Sequence, residues 1–271
     1  MLKVANFSEK GGVGKTSVTS GLAAAAAARG MRVVAVDLDP RATLSKELGA
    51  DGAELTLNDL MFVDERADTL PVDPAAVVGD VLVQAGEGWP DTVRVIVSER
   101  NLAHREMDHT SGMEHRLARA LTGLRDVDLV VMDVPPRAGG RVSGSALIAA
   151  DVVLIPTTLA VDGLDGAREA LRSIERIRMP GGLNEGLRFA GVVRSIVPKV
   201  SERSAVHDVI DQQLVDEFGE LLLPTQLVNY AIREQARLAC VPITAAPGRE
   251  ARLLDAAYGD LLDHLLKVGG V

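Results

Sequence analysis

One cysteine in 271 residues, Cys240, leaves no partner for an intrachain disulfide and no CxxC metal or redox motif. The thiol reads as a small buried hydrophobe. Aromatic residues are only 3% of a chain that is 47% hydrophobic. A core must therefore be built from Val, Leu, Ile and Ala, which suits a parallel sheet buried between helices. No apolar run is long enough to span a bilayer, and the N-terminus lacks the charged and apolar regions of a signal peptide, so a cytoplasmic protein is expected. Lysine is scarce: six of the 29 basic residues are Lys, and the arginines are spread along the chain rather than massed in a tail. A net charge of −9 opposes DNA and anionic lipid on average, so either would require a local basic patch. With no visible linker, residues 1–271 are expected to form a single α/β domain.

What the sequence does have begins almost at once. Leu2 to Phe7 reads as a strand and Val18 to Arg29 as a helix of small apolar residues. Between them stands Glu9-Lys10-Gly11-Gly12-Val13-Gly14-Lys15-Thr16-Ser17. A strand, a glycine turn and a helix in that order are the setting of a phosphate loop. Its glycines let backbone N–H groups converge on phosphate oxygens, and the helix N-terminus adds its positive dipole end. Lys10 to Ser17 are the candidate nucleotide-binding residues, with Lys15 directed at the terminal phosphates and the Thr16 hydroxyl at magnesium. Glu9 stands where the ordinary pattern has its first glycine, with a second lysine, Lys10, beside it.

Later motifs fit the same chemistry. Met31 to Asp37 reads as a buried strand that ends in Asp37-Leu38-Asp39-Pro40-Arg41, two carboxylates where an α/β sheet collects its ligands. The alternative is an aspartate pair that caps a helix from Leu44 to Leu48. Asp128 to Asp133 is an apolar strand ending in a carboxylate and followed by Pro135-Pro136, which force an extended exit. Further strands are expected at 81–83, 93–97, 151–157, 189–197 and 221–224. Helices are expected at 164–177, 204–218 and 250–266, with a short one around 59–61. His104, His109 and His115 do not repeat by helical turn and read as surface or partner-contact residues.

The string Lys10 to Thr16, KGGVGKT with its early lysine, resembles the deviant Walker A motif of the ParA/MinD family of ATPases. Asp37 to Arg41, Asp133 to Pro136 and Asp151 to Pro156 resemble that family's later motifs in the same order. The resemblance implies a doubly wound, mostly parallel sheet flanked by helices, and a slow, magnesium-dependent ATP hydrolase. Lys15 and backbone N–H groups would hold the phosphates. Thr16, Asp37 and Asp133 would serve magnesium, Asp39 would orient the attacking water, and Lys10 would reach the partner subunit's nucleotide in an ATP-dependent homodimer. Lys10, Lys15 and Asp39 are thus the catalytic candidates. Arg41 replaces the family's glutamine, Arg137-Ala138 depart from its Ser-Leu-Gly, and Arg194-Ser195 stand near the expected base contact, leaving the base-reading residue open.

Within the family, the 261–267 segment is short and not cationic, so no membrane partner is expected. One cysteine does not suit a bridging cluster, and the loop starts too early for a preceding helix-turn-helix domain. The resemblance therefore points to a small partition ATPase of plasmid or chromosome. It would bind non-specific DNA as the ATP dimer, associate with the nucleoid and be stimulated by a ParB-like centromere-binding protein. Arg194, Lys199, Arg203, Arg233, Arg237, Arg249 and Arg252 are the candidate DNA contacts, each alternatively a solvated cation. A positioning ATPase for a non-DNA cargo, or a nucleotide-switched scaffold with little turnover, are the other readings.

Overall fold

The computed structural model describes residues 1–50, 52–63, 71–136 and 139–271. Eight strands form one sheet: β1 (Leu2–Asn6), β2 (Val33–Asp37), β3 (Leu82–Gln84), β4 (Val93–Ile96), β5 (Leu129–Asp133), β6 (Val152–Thr157), β7 (Arg188–Val197) and β8 (Leu222–Val228). Their order is β3-β4-β2-β5-β1-β6-β7-β8, and every pairing is parallel except β3 with β4. The helices are α1 (Lys15–Ala28), α2 (Thr43–Glu47), α3 (Leu57–Met61), α4 (Pro74–Val77), α5 (Met113–Leu121), α6 (Arg141–Ala149), α7 (Val161–Arg178), α8 (Ala205–Phe218), α9 (Ala231–Leu238) and α10 (Arg249–Gly269).

Alternation along the strands divides the interior in two. Ala5, Val34, Val130, Met132, Val153 and Ile155 face one apolar cluster with residues of α3, α5, α6, α7 and α8. Val4, Val33, Leu129, Val131, Val152 and Leu154 face the other, with α1, α2, α9 and α10. The central strands are buried on both faces, as parallel strands covered by crossover helices must be. The expected doubly wound α/β fold is therefore observed. The scarcity of aromatics is met by small residues: Ala23, Ala24 and Ala26 lie flat in the core, and Tyr258 and Phe7 are its largest fully buried side chains.

Helix α6 and strand β8 are instructive departures from expectation. Helix α6 was not anticipated, because Ser143, Gly144 and Ser145 obscure the periodicity of Val142, Ala146 and Leu147. Strand β8 runs past Pro224 to Val228 rather than stopping at it. It is the edge strand, its register with β7 skips from Val192–Leu222 to Arg194–Gln226, and a missing N–H is tolerated at such an irregular edge. Arg137 and Ala138, which depart from the family's Ser-Leu-Gly, lie outside the described residues.

Candidate nucleotide site

Three polar side chains reach the same level because their strands are in register. Asn6, the last residue of β1, pairs with Asp133 at the end of β5, and Asp133 pairs with Asp37 at the end of β2. All three are buried. Beyond β1 the chain turns through the glycine loop into α1. Gly14 heads the helix at φ 79°, a left-handed conformation that favours glycine, and a Cβ there would come within 3.2 Å of Ile196 and 3.3 Å of the Ser195 hydroxyl. No side chain caps α1, so its first N–H groups are left for a ligand. The Lys15 ammonium is folded back onto the loop, donating to the carbonyls of Lys10 at 2.9 Å and Ser8 at 3.1 Å. Burial pulls its pKa down to about 8, against the attraction of Asp133 and Asp39.

Opposite it, the Thr16 hydroxyl donates to Asp133 Oδ2 at 2.6 Å, joining α1 to β5. Burial, then the neighbouring Asp37 charge, raises the pKa of Asp133 well above the usual carboxylate range. Asp37 is pushed up to about 6, again chiefly by burial, although it accepts three hydrogen bonds. These come from the Ser45 N–H and hydroxyl, both at 2.8 Å, and from the Asp39 N–H at 3.1 Å. Asp37 thus ties β2 to α2 and shapes the turn that carries Asp39. The Asp39 side chain accepts from the Arg41 N–H at 2.9 Å and is only half-buried, so it stands at the mouth of the site.

The donor set fits magnesium: a hydroxyl and carboxylates, all hard oxygens, with elevated carboxyl pKa values that a divalent cation would relieve. Among the described residues no group of three or more His, Cys, Asp or Glu side chains could hold a metal by itself. Magnesium here would take its remaining ligands from phosphate and water, as it commonly does. The second expected motif is equally close: a Cβ on Gly11 would lie 3.9 Å from Pro136, so the exit from β5 abuts the loop.

Several contributors were missed in the sequence. Asn6 donates to Thr19 at 2.9 Å and its Oδ1 is buried without a partner; a polar residue closing an apolar strand just before the loop was the available signal. Ser45 had none beyond its place after the paired aspartates. At the end of β7, Ser195 lies within hydrogen-bonding distance of the Val13 and Thr157 carbonyls, pinning the loop to β6 and β7. Ile196 beside it has φ 53°, unusual for a β-branched residue.

The seven basic candidates do not form one surface. Arg194 is buried and pairs with Asp211 of α8 at 2.7 Å. Arg233 is directed inward to Glu47 and to the Ser20 hydroxyl at 2.7 Å. These two are committed to internal partners rather than to an outside phosphate. Lys199, Arg203 and Arg249 line one cleft with Tyr230, where Lys199 pairs with Glu250 at 2.7 Å and Arg203 with Asp211 at 3.2 Å. Arg237 and Arg252 are exposed. His109, of the three histidines, lies 3.2 Å from Arg141.

The family model described as an AAA domain (AAA_31) matches residues 1–189, a span that holds every motif described above. The chain belongs to the ParA/MinD family of ATPases. The chromosome partitioning protein ParA of Caulobacter vibrioides is 30% identical over 227 residues, 81% of this chain and 77% of that one. The chromosome-partitioning ATPase Soj of Thermus thermophilus is 30% identical over 246 residues, 89% and 84% of the two chains. Cobyrinic acid a,c-diamide synthase of Mycobacterium smegmatis, solved with ADP and magnesium, superposes with a TM-score of 0.72 at 25% identity, covering 98% of this chain and 94% of that one. The two alignments cover 81% and 89% of this chain, so the likeness extends well beyond the loop. No described helix is long and apolar enough to cross a membrane.

Proposed function

We propose that this chain is a ParA-like partition ATPase that binds ATP with magnesium, dimerises on it, and hydrolyses it slowly. The observation that carries this reading is the convergence of Lys15, Thr16, Asp133, Asp37 and Asp39 at the C-terminal ends of the central strands, beside a loop with a second lysine. Lys15 and the free N–H groups of α1 hold the β- and γ-phosphates. Thr16 and Asp133 would hold magnesium, which supplies charge neutralisation between those phosphates when bound. Asp37, with its lone pairs engaged by Ser45 and Asp39, supports that shell rather than entering it. Asp39, at the mouth, orients the attacking water, and Lys10 stabilises charge in the partner subunit's site. Catalysis of this kind is positioning and electrostatics, with no covalent step on the protein.

The ATP dimer would bind DNA non-specifically through the exposed cations Lys199, Arg203, Arg237, Arg249 and Arg252, and a ParB-like protein would stimulate hydrolysis. The likeness to two chromosome-partitioning proteins supports this part of the reading. Sedimentation of wild type and Lys10→Ala with ATP or ADP, with and without DNA, tests the whole scheme. Wild type should dimerise and bind DNA with ATP only, its DNA affinity falling steeply with salt. Lys10→Ala should do neither. DNA affinity unchanged in ADP would defeat the ATP-switched partition reading, no DNA binding in either nucleotide would favour a non-DNA cargo, and ATP dimers persisting in Lys10→Ala would defeat the trans role of that lysine.

A further inference from the structure

Glu9 and Lys10 are the two residues that break the ordinary phosphate-loop pattern, and both lean on the same helix. The Ser173 hydroxyl of α7 donates to Glu9 Oε1 at 2.6 Å. The stem of Lys10 crosses α7 at Gly166, where a Cβ would fall 2.3 Å from Lys10 Cγ and 2.9 Å from its Cβ. Gly166 and Ser173 are seven residues apart, two turns along one face and about 10 Å of helix. Glycine in mid-helix weakens it relative to alanine, and here the bare Cα gives the lysine its track. Glu9 itself is a liability: its negative charge sits in a loop whose other groups converge to receive phosphate. The Ser173 bond keeps that carboxylate on α7.

We propose that Ser173 and Gly166 are positioning residues for the phosphate loop: Ser173 draws the Glu9 carboxylate away from the phosphate cradle, and Gly166 seats the Lys10 stem so that its ammonium projects toward a partner subunit. The second half rests on the reading of Lys10 as a trans-acting group. The first half does not. In this arrangement α7 carries the two deviant residues together.

The test uses the full chain, a fluorescent ATP analogue for binding and sedimentation for dimerisation, with thermal unfolding as the control for folding. Ser173→Ala should weaken analogue binding about tenfold, Ser173→Thr should restore it, and Ser173→Ala should have no effect in a Glu9→Gln background. Unchanged binding in Ser173→Ala, or a loss that persists in Glu9→Gln, would overturn the role of Ser173. Gly166→Ala should bind the analogue within about twofold of wild type yet need about tenfold more protein to dimerise. Loss of analogue binding in Gly166→Ala, or dimerisation like wild type while Lys10→Ala fails to dimerise, would overturn the role of Gly166. Dimerisation by Lys10→Ala itself would instead remove the trans-lysine reading and leave the Ser173 result standing.

Discussion

The two halves of the site are built from different kinds of contact. On the β1–β5–β2 side, Asn6, Asp133 and Asp37 end adjacent parallel strands, and strand register alone puts them side by side. On the β7–β8 side, Arg194 and Arg233 belong to segments near the site, yet their guanidinium groups turn inward to Asp211 and to Glu47. A short carboxylate at a strand end has little reach, so its backbone position decides its role. A long guanidinium stem can be recruited several ångströms away by whichever acid lies nearest, so its backbone position decides little.

The contrast breaks most visibly at Glu47. Its carboxylate is 4% exposed and pairs with Arg233, linking α2, which follows the Asp39 turn, to α9 and, through Ser20, to α1. Removing one partner of a buried pair leaves the other charge uncompensated. Glu47→Gln should therefore lower the unfolding free energy by about 3–5 kcal/mol in urea titrations, while the apolar double replacement Glu47→Leu/Arg233→Met should recover most of it. A Glu47→Gln protein within about 1 kcal/mol of wild type would mean that Arg233 is free after all and return it to the set of outward-facing cations.

On the carboxylate side the sharper measurement is pH. Asp37 is pushed from 3.8 up to about 6 in the folded protein, so the folded state binds more protons than the unfolded one between those values. The contribution of Asp37 to the stability of the protein without nucleotide or magnesium then falls as pH rises from about 4 to about 6, by an amount on the order of 3 kcal/mol. Asp133, displaced in the same direction and coupled to Asp37 across the β2–β5 pair, extends the fall to higher pH. Asp37→Asn should flatten the lower part of this profile. Chemical denaturation of wild type and Asp37→Asn in EDTA across that range checks it; a difference in slope of the opposite sign would place the charged form of Asp37 in a favourable setting and undo the argument from burial.

These two sides also explain what could be read before the structure. Lys10 to Thr16, Asp37, Asp39 and Asp133 were legible because each sits at a fixed step from a strand end, and the sheet converts sequence order into geometry. Helix α6 and the length of β8 were not, since serine and glycine blur a helical face and an edge strand tolerates a proline that a central one would not. Arg194 and Arg233 were misread for a further reason: their partners Asp211 and Glu47 are 17 and 186 residues away in sequence, and no periodicity links them. Ser173, 164 residues from Glu9, was invisible on the same ground.

The smallest expected effect is at Arg237, one turn along α9 from Arg233. It is exposed and pairs only with Glu234, three residues earlier on the same helix, at 3.1 Å. Such a pair contributes little to folding, so Arg237→Ala should shift the unfolding free energy by less than about 0.5 kcal/mol. If it meets DNA phosphate in the ATP dimer, the same substitution should lower the slope of log affinity against log salt by about 1 while weakening all sequences alike. Arg233→Ala should behave in the reverse way, with a large loss of stability and no separate change in salt slope at temperatures where the variant is folded. Equal salt slopes for wild type and Arg237→Ala would remove this arginine from the DNA surface. Two arginines four residues apart on one helix then differ by an order of magnitude in what they contribute to the fold, because one has a buried acid within reach and the other an exposed one.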